Sequence, residues 1–256
     1  MTESLEEIKK RVEECTDEVQ QALAGYLSRL IPRHPLEVEW GVDARTILSA
    51  IRRSSDLTKR GVRGIIAEAV FESDVLPTVT ALGWNAGVIP PGDWPYDAIL
   101  EKAGRSVRIQ IKLQRLEAGA PKLYYPKYYT EEFFVVEVQK TRSGKKRTRL
   151  DEAPREEPVA TRPYRFRDFD ILAVNMHPAT HHWNNFRFTV ADWLLPRSAD
   201  KTLIEIFQPV SLVTNSVWTD NLAICLEWLL SGEEKRVLDV RHTVCARLGG
   251  PANKTP

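Results

Sequence analysis

The chain has 256 residues, 43% hydrophobic and 28% charged, with a formal net charge of +1. Those values suit a globular chain with one large domain, or one domain plus an extension, and they predict no polyanion partner by net charge alone. No apolar run approaches the roughly 18 residues of a membrane span, the charged start "MTESLEEIKKRVEE" is unlike a secretory signal, and three scattered cysteines (Cys15, Cys225, Cys245) fit a reducing cytoplasm.

Helical periodicity comes first. Leu5, Ile8, Val12, Val19, Leu23, Tyr26, Leu27 and Leu30 are spaced for one amphipathic helix or two, with Pro32 and Pro35 as the stop. "DARTILSAIRRSSDL" predicts a second helix N-capped by Asp43, and "VRGIIAEAVFESDVLPTVTAL" a third, divided by Pro77 and closed at Gly83. The period then changes. "WNAGVI", "YDAILE", "SVRIQIKLQ" and "EFFVVEVQ" are β-branched and aromatic runs between Pro/Gly punctuation, with turns at "PPGDWP" and "KAGRS". A polar loop over 138–167 follows, then a buried strand in "DFDILAVNM", a strand and short helix in "FRFTVADWLLP", and a C-terminal helix in "TDNLAICLEWLLSG". The expectation is a mixed α/β fold. Residues 1–60 form a helical extension, 61–247 the main domain, and 248–256 a flexible tail.

Charge is unevenly placed. From Lys102 to Arg167 there are seventeen Lys/Arg against eight Asp/Glu, a surplus of nine positive charges on a nearly neutral chain. A basic middle of this kind reads as a localised anion-binding face.

Within it, "WPYDAILEKAGRSVRIQIKLQR" places Asp97 in one apolar run and Lys112 in the next. Burying an ion without a partner costs several kcal/mol. Alternation puts Arg108, Gln110, Lys112 and Gln114 on one face of the second strand. A hairpin then brings Asp97 near Gln110 and Lys112. Two readings follow: a cross-strand ion pair, or a reaction centre. A carboxylate with a neutral oxygen can hold Mg²⁺, and a nearby lysine can orient or deprotonate water.

"PYD", followed thirteen residues after Asp97 by the Gln110 of "QIK", resembles the PD-(D/E)XK nuclease superfamily, which includes type II restriction endonucleases and repair and recombination nucleases. The resemblance covers roughly residues 62–175. It implies a restriction-endonuclease-like core: a mixed central sheet flanked by α-helices, in the order helix, three strands, helix, strand. It also implies a Mg²⁺-dependent DNA endonuclease, with double-stranded DNA as substrate and a homodimer for two-fold sites. Asp97, Glu68, Gln110 and the main-chain carbonyl of Ile111 would hold the metal, and Lys112 would act on water. Glu72 is the next candidate after Glu68. The departure is Gln110 in a position ordinarily Asp or Glu, which leaves one formal charge fewer and calls on Glu68 or Glu137 to compensate. A structure-selective repair nuclease, and a degenerate fold that only binds DNA, are the alternatives.

Beyond the strand bearing Glu137, Lys140, Arg142, Lys145, Lys146, Arg147 and Arg149 fall within ten residues. A basic loop so placed would grip phosphates, with affinity falling steeply with salt. Gln114, Arg115 and Gln139, at strand ends, are the accompanying DNA-contact candidates. The alternative is a solvated charged loop. His177, His181 and His182 lack zinc-ligand spacing. The chain has no Gly-rich phosphate loop, so no nucleotide cofactor is expected.

Overall fold

The computed structural model describes residues 4–30, 32–124, 133–139 and 163–238. They divide into two compact units, residues 1–59 and 60–256.

The first unit is helical: α1 (Leu5–Glu13), α2 (Asp17–Leu30), α3 (Pro35–Trp40) and α4 (Ala44–Arg53). Ser4 and Glu7 close a capping box at α1. Asp43 caps α4 as expected, its carboxylate accepting from Thr46 N at 2.6 Å. Pro35 does not end a helix. It begins α3, because proline at the first helical position has no N–H to waste and a φ already suited to the helix.

α5 (Asp56–Val70) begins in the last residues of the first unit, six residues before the apolar pattern starts, and continues in the second into a π turn (Phe71–Val75) and then α6 (Leu76–Thr80), which carries Pro77 in its first turn. The spacing explains the π turn. Ala67, Phe71, Val75 and Val79 are all buried and sit four residues apart. On an ideal α-helix that spacing drifts by about 40° per step. A single wide turn takes up the drift and keeps all four on the core.

The central sheet has the order β1-β2-β3-β7-β8. Its strands are β1 (Asn85–Ala86), β2 (Ala98–Lys102), β3 (Arg105–Leu113), β7 (Ile171–Asn175) and β8 (Phe186–Val190). β2 and β3 pair antiparallel, β3 and β7 parallel, and β7 and β8 antiparallel, so the sheet is mixed. Helices flank it. Phe71 packs edge-on against Phe186 and Phe188, and α8 (Leu222–Ser231) lies against β8 and α6.

Two expectations change here. "EFFVVEVQ" does form a strand, β6 (Phe133–Glu137), but it leaves the main sheet to pair with β9 (Phe207–Ser211) in a ribbon of its own. The sequence of β9, "FQPVS", does not read as a strand, since Pro209 stands in its middle. The pairing tolerates that proline because β9, among the described residues, is paired along one edge only, the edge facing β6. Among the described residues, no helix lies between β3 and β7, where the family order implies one. The short α7 (His177–Thr180) follows β7 instead.

Ala103 and Gly104 both have positive φ, at 49° and 77°, and join Lys102 to Arg105. This is the two-residue turn whose twist matches the flanking strands. The same Ala-Gly pair recurs at Ala118 and Gly119, with φ of 50° and 82°, between β4 (Leu116–Glu117) and β5 (Ala120–Pro121). Alanine is strained in that region. Ala103→Asn should therefore raise stability by about 0.5–1 kcal/mol, read as a higher denaturant midpoint at unchanged slope.

Asp170 pairs with Arg108. Its carboxylate accepts from Arg108 Nε at 3.0 Å, from Nη2 at 2.8 Å and from the Arg108 main-chain N–H at 2.8 Å. This fork ties the entry to β7 onto β3. Both side chains are partly exposed, so screening discounts it, and Asp170→Ala should cost about 1–2 kcal/mol in a urea melt. Ile109, fully buried on the opposite face of β3, should lose about 0.5–1.5 kcal/mol on change to Val.

Candidate active site

The hairpin fixes the register. Ala98 pairs with Ile109, and the Asp97 N–H donates to Ile109 O at 2.8 Å, so Asp97 stands one residue before β2 and beside Gln110. Its Oδ2 accepts from the Ile111 N–H at 2.8 Å and from Gln110 Nε2 in a short contact. The same Gln110 nitrogen donates to Ile111 O at 3.2 Å. Asp97, Gln110 and the Ile111 carbonyl thus meet at one point.

Lys112 and Glu68 complete the cluster. Burial is the largest influence on the Asp97 carboxyl and pushes it above the ordinary range, with the Lys112 charge and the two hydrogen bonds pulling it back. Glu68, on α5, is raised first by burial and then by the Asp97 charge. Lys112 opposes that rise and Glu72 adds to it. Lys112 is lowered by burial, against the pull of Asp97 and Glu68. Glu68 and Lys112 each feel the other two members, and Asp97 feels Lys112. The Lys112 ammonium lies 5.6 Å from the centre of the Tyr164 ring, a cation–π contact. Tyr164 is fifty-two residues on in the chain, and no sequence pattern links it to "QIK".

Among the described residues, no three His, Cys, Asp or Glu side chains come together as a metal-holding group. The oxygen set is different: two carboxylates, one amide and one main-chain carbonyl. Gln110 shows whether it fits a cation. With Nε2 on Asp97 and Ile111 O, the buried Oε1 is left without a hydrogen-bond partner. Turning the amide over would set its oxygen against Asp97 Oδ2 and Ile111 O, three oxygens that a cation would draw together. The residues fit a hard divalent ion.

Glu137 stands elsewhere. On β6, it forms an ion pair with Arg115 and accepts from Gln139 Nε2, so it is engaged away from the metal set. Arg115 also lies with its guanidinium 5.3 Å from the Phe207 ring centre. Gln114 is 1% exposed, and its Oε1 accepts from Ala179 N at 3.0 Å, giving it an internal role at the end of β3. Lys140, Arg142, Lys145, Lys146, Arg147 and Arg149 lie outside the described residues, as does the tail 248–256. A surface recess lined by Asn85, Lys102, Gly104 and Arg105 sits at the turn of the β2–β3 hairpin, the far end from Asp97.

No protein-family model matches the chain, and no curated protein matches it. A solved structure with a similar trace is that of a bacterial homing endonuclease, I-Ssp6803I. The TM-score is 0.38 and the identity 16%, over 68% of this chain and 98% of that one. No helix among the described residues is long and apolar enough to cross a membrane.

Proposed function

We propose that the chain is a metal-dependent DNA endonuclease of the PD-(D/E)XK type, working as a sequence-specific restriction enzyme. The observation that carries this reading is the meeting of Asp97, Gln110 and the Ile111 carbonyl, with Gln110 Oε1 buried and unpartnered. Asp97, Glu68, the Gln110 amide oxygen and Ile111 O would hold Mg²⁺. The bound ion supplies charge neutralisation at phosphorus and a water of lowered proton affinity. Lys112, its own proton affinity lowered by burial, orients the attacking water at Nζ and can take its proton. Asp97 holds Lys112 in place electrostatically. A two-fold DNA site would require two copies of the chain.

Calorimetric titration with Ca²⁺ or Mg²⁺ tests the site. Wild type should take up a divalent ion, and Asp97→Ala, checked for an intact thermal transition, should not. No uptake by wild type would favour a second reading, a nuclease-like fold that binds DNA without cutting it. That reading draws support from the Gln110 amide, whose nitrogen bonds both Asp97 and Ile111 O.

A further inference from the structure

A second cluster lies at the end of β3 and β7, and the nuclease chemistry above leaves it unused. His177 opens α7. Its N–H donates to Asn175 Oδ1 at 3.0 Å, and its ring stacks on Trp183 with centroids 3.9 Å apart and planes at 18°. His181, held by a left-handed backbone at φ 59°, sets its ring 6.4 Å from that of His177. His182 follows, exposed. From α5, Arg63 faces the same group. Its Nε is buried without a hydrogen-bond partner.

Charge makes the cluster informative. The charged groups acting on His177 are Arg63 of α5, and His181 and His182 of the loop after α7, all of them basic. Burial and these neighbours hold the imidazole below its usual range. No carboxylate figures among them. Four basic side chains with a part-buried guanidinium and, among the described residues, no acidic partner form a site that an anion would complete.

Position says which anion. Lys112 pairs with Val174 in the β3–β7 register, and His177 is three residues further along, on the order of 10 Å. Arg63 precedes Glu68 by five residues, about 7.5 Å along α5. A DNA strand lying across Lys112 would continue over this cluster within a few nucleotides, at about 3.4 Å of axial rise each. We infer that Arg63, His177, His181 and His182 form a station for a backbone phosphodiester flanking the scissile one, with the His177–Trp183 stack as its floor. The inference rests on the nuclease reading of the neighbouring site.

The test is the affinity of full-length protein for a labelled duplex in EDTA, measured across a salt series at pH 8 and pH 6. Arg63→Ala should weaken binding about tenfold and reduce the salt slope by about one contact, and Arg63→Lys should retain most of it. Wild type should bind more tightly at pH 6 than at pH 8, because imidazoles ordinarily gain charge over that range and a bound phosphate favours the charged form against the burial that holds His177 down. His181→Asn/His182→Gln, at exposed positions and with an asparagine that suits the left-handed backbone of residue 181, should flatten that gain. Unchanged affinity, slope and pH response in both variants would overturn the station while leaving the nuclease reading intact. If wild type bound no duplex under any condition, both would fall.

Discussion

Replacing Lys112 by alanine should lower the rate of DNA cleavage by about 10²–10⁴-fold, the span that general acid–base groups contribute. That is about 3–5 kcal/mol of barrier. Duplex affinity should barely move. Lys112 is half-buried, lies above the Tyr164 ring and is bound electrostatically to Asp97 and Glu68, so its work is directed inward at the reacting centre. Single-turnover cleavage alongside equilibrium binding separates the two effects. Loss of both together would recast Lys112 as a structural ion, and full activity in the variant would remove it from the mechanism.

Gln110→Glu should behave oppositely with and without metal. In wild type the amide donates to Asp97 Oδ2 and Ile111 O. A carboxylate there loses a hydrogen bond to a charged group, worth about 1.5–3 kcal/mol, and faces Asp97 as a like charge in a buried place. Without a divalent ion the variant should be about 3 kcal/mol less stable. Saturating Mg²⁺ should recover most of that loss, because an added carboxylate raises metal affinity and binding to the native state adds stability by mass action. Thermal melts in EDTA and in Mg²⁺ read both arms. A variant equally stable in each would show that no ion visits this position.

The hairpin was legible because its signals are local. "KAGRS" marks the turn, and period-two alternation then fixes which residues of β3 face Asp97. Asp43 announced its own helix for the same reason, by a cap three residues long. What escaped the sequence was set by distant partners. β6 reads as a strand from its composition, but only tertiary pairing with β9 takes Glu137 out of the main sheet and onto Arg115. Likewise, Gln114 shares a face with Lys112 yet is buried, because Ala179 arrives from α7, sixty-five residues on. The π turn leaves a fainter trace. Four buried positions at strict intervals of four can be read as a departure from α-helical period, and the second Ala-Gly turn repeats a signal already recognised at the first. Arg63 had no visible cue at all, since its significance lies in having no acidic partner among the described residues.

The most direct test of the central claim is digestion of plasmid and phage DNA by the purified chain at low salt, in Mg²⁺ and in EDTA, beside the Asp97→Ala variant. Discrete fragments that require both Mg²⁺ and Asp97 are the expected result. Intact DNA in Mg²⁺, from protein that binds the duplex and takes up no ion, would contradict it.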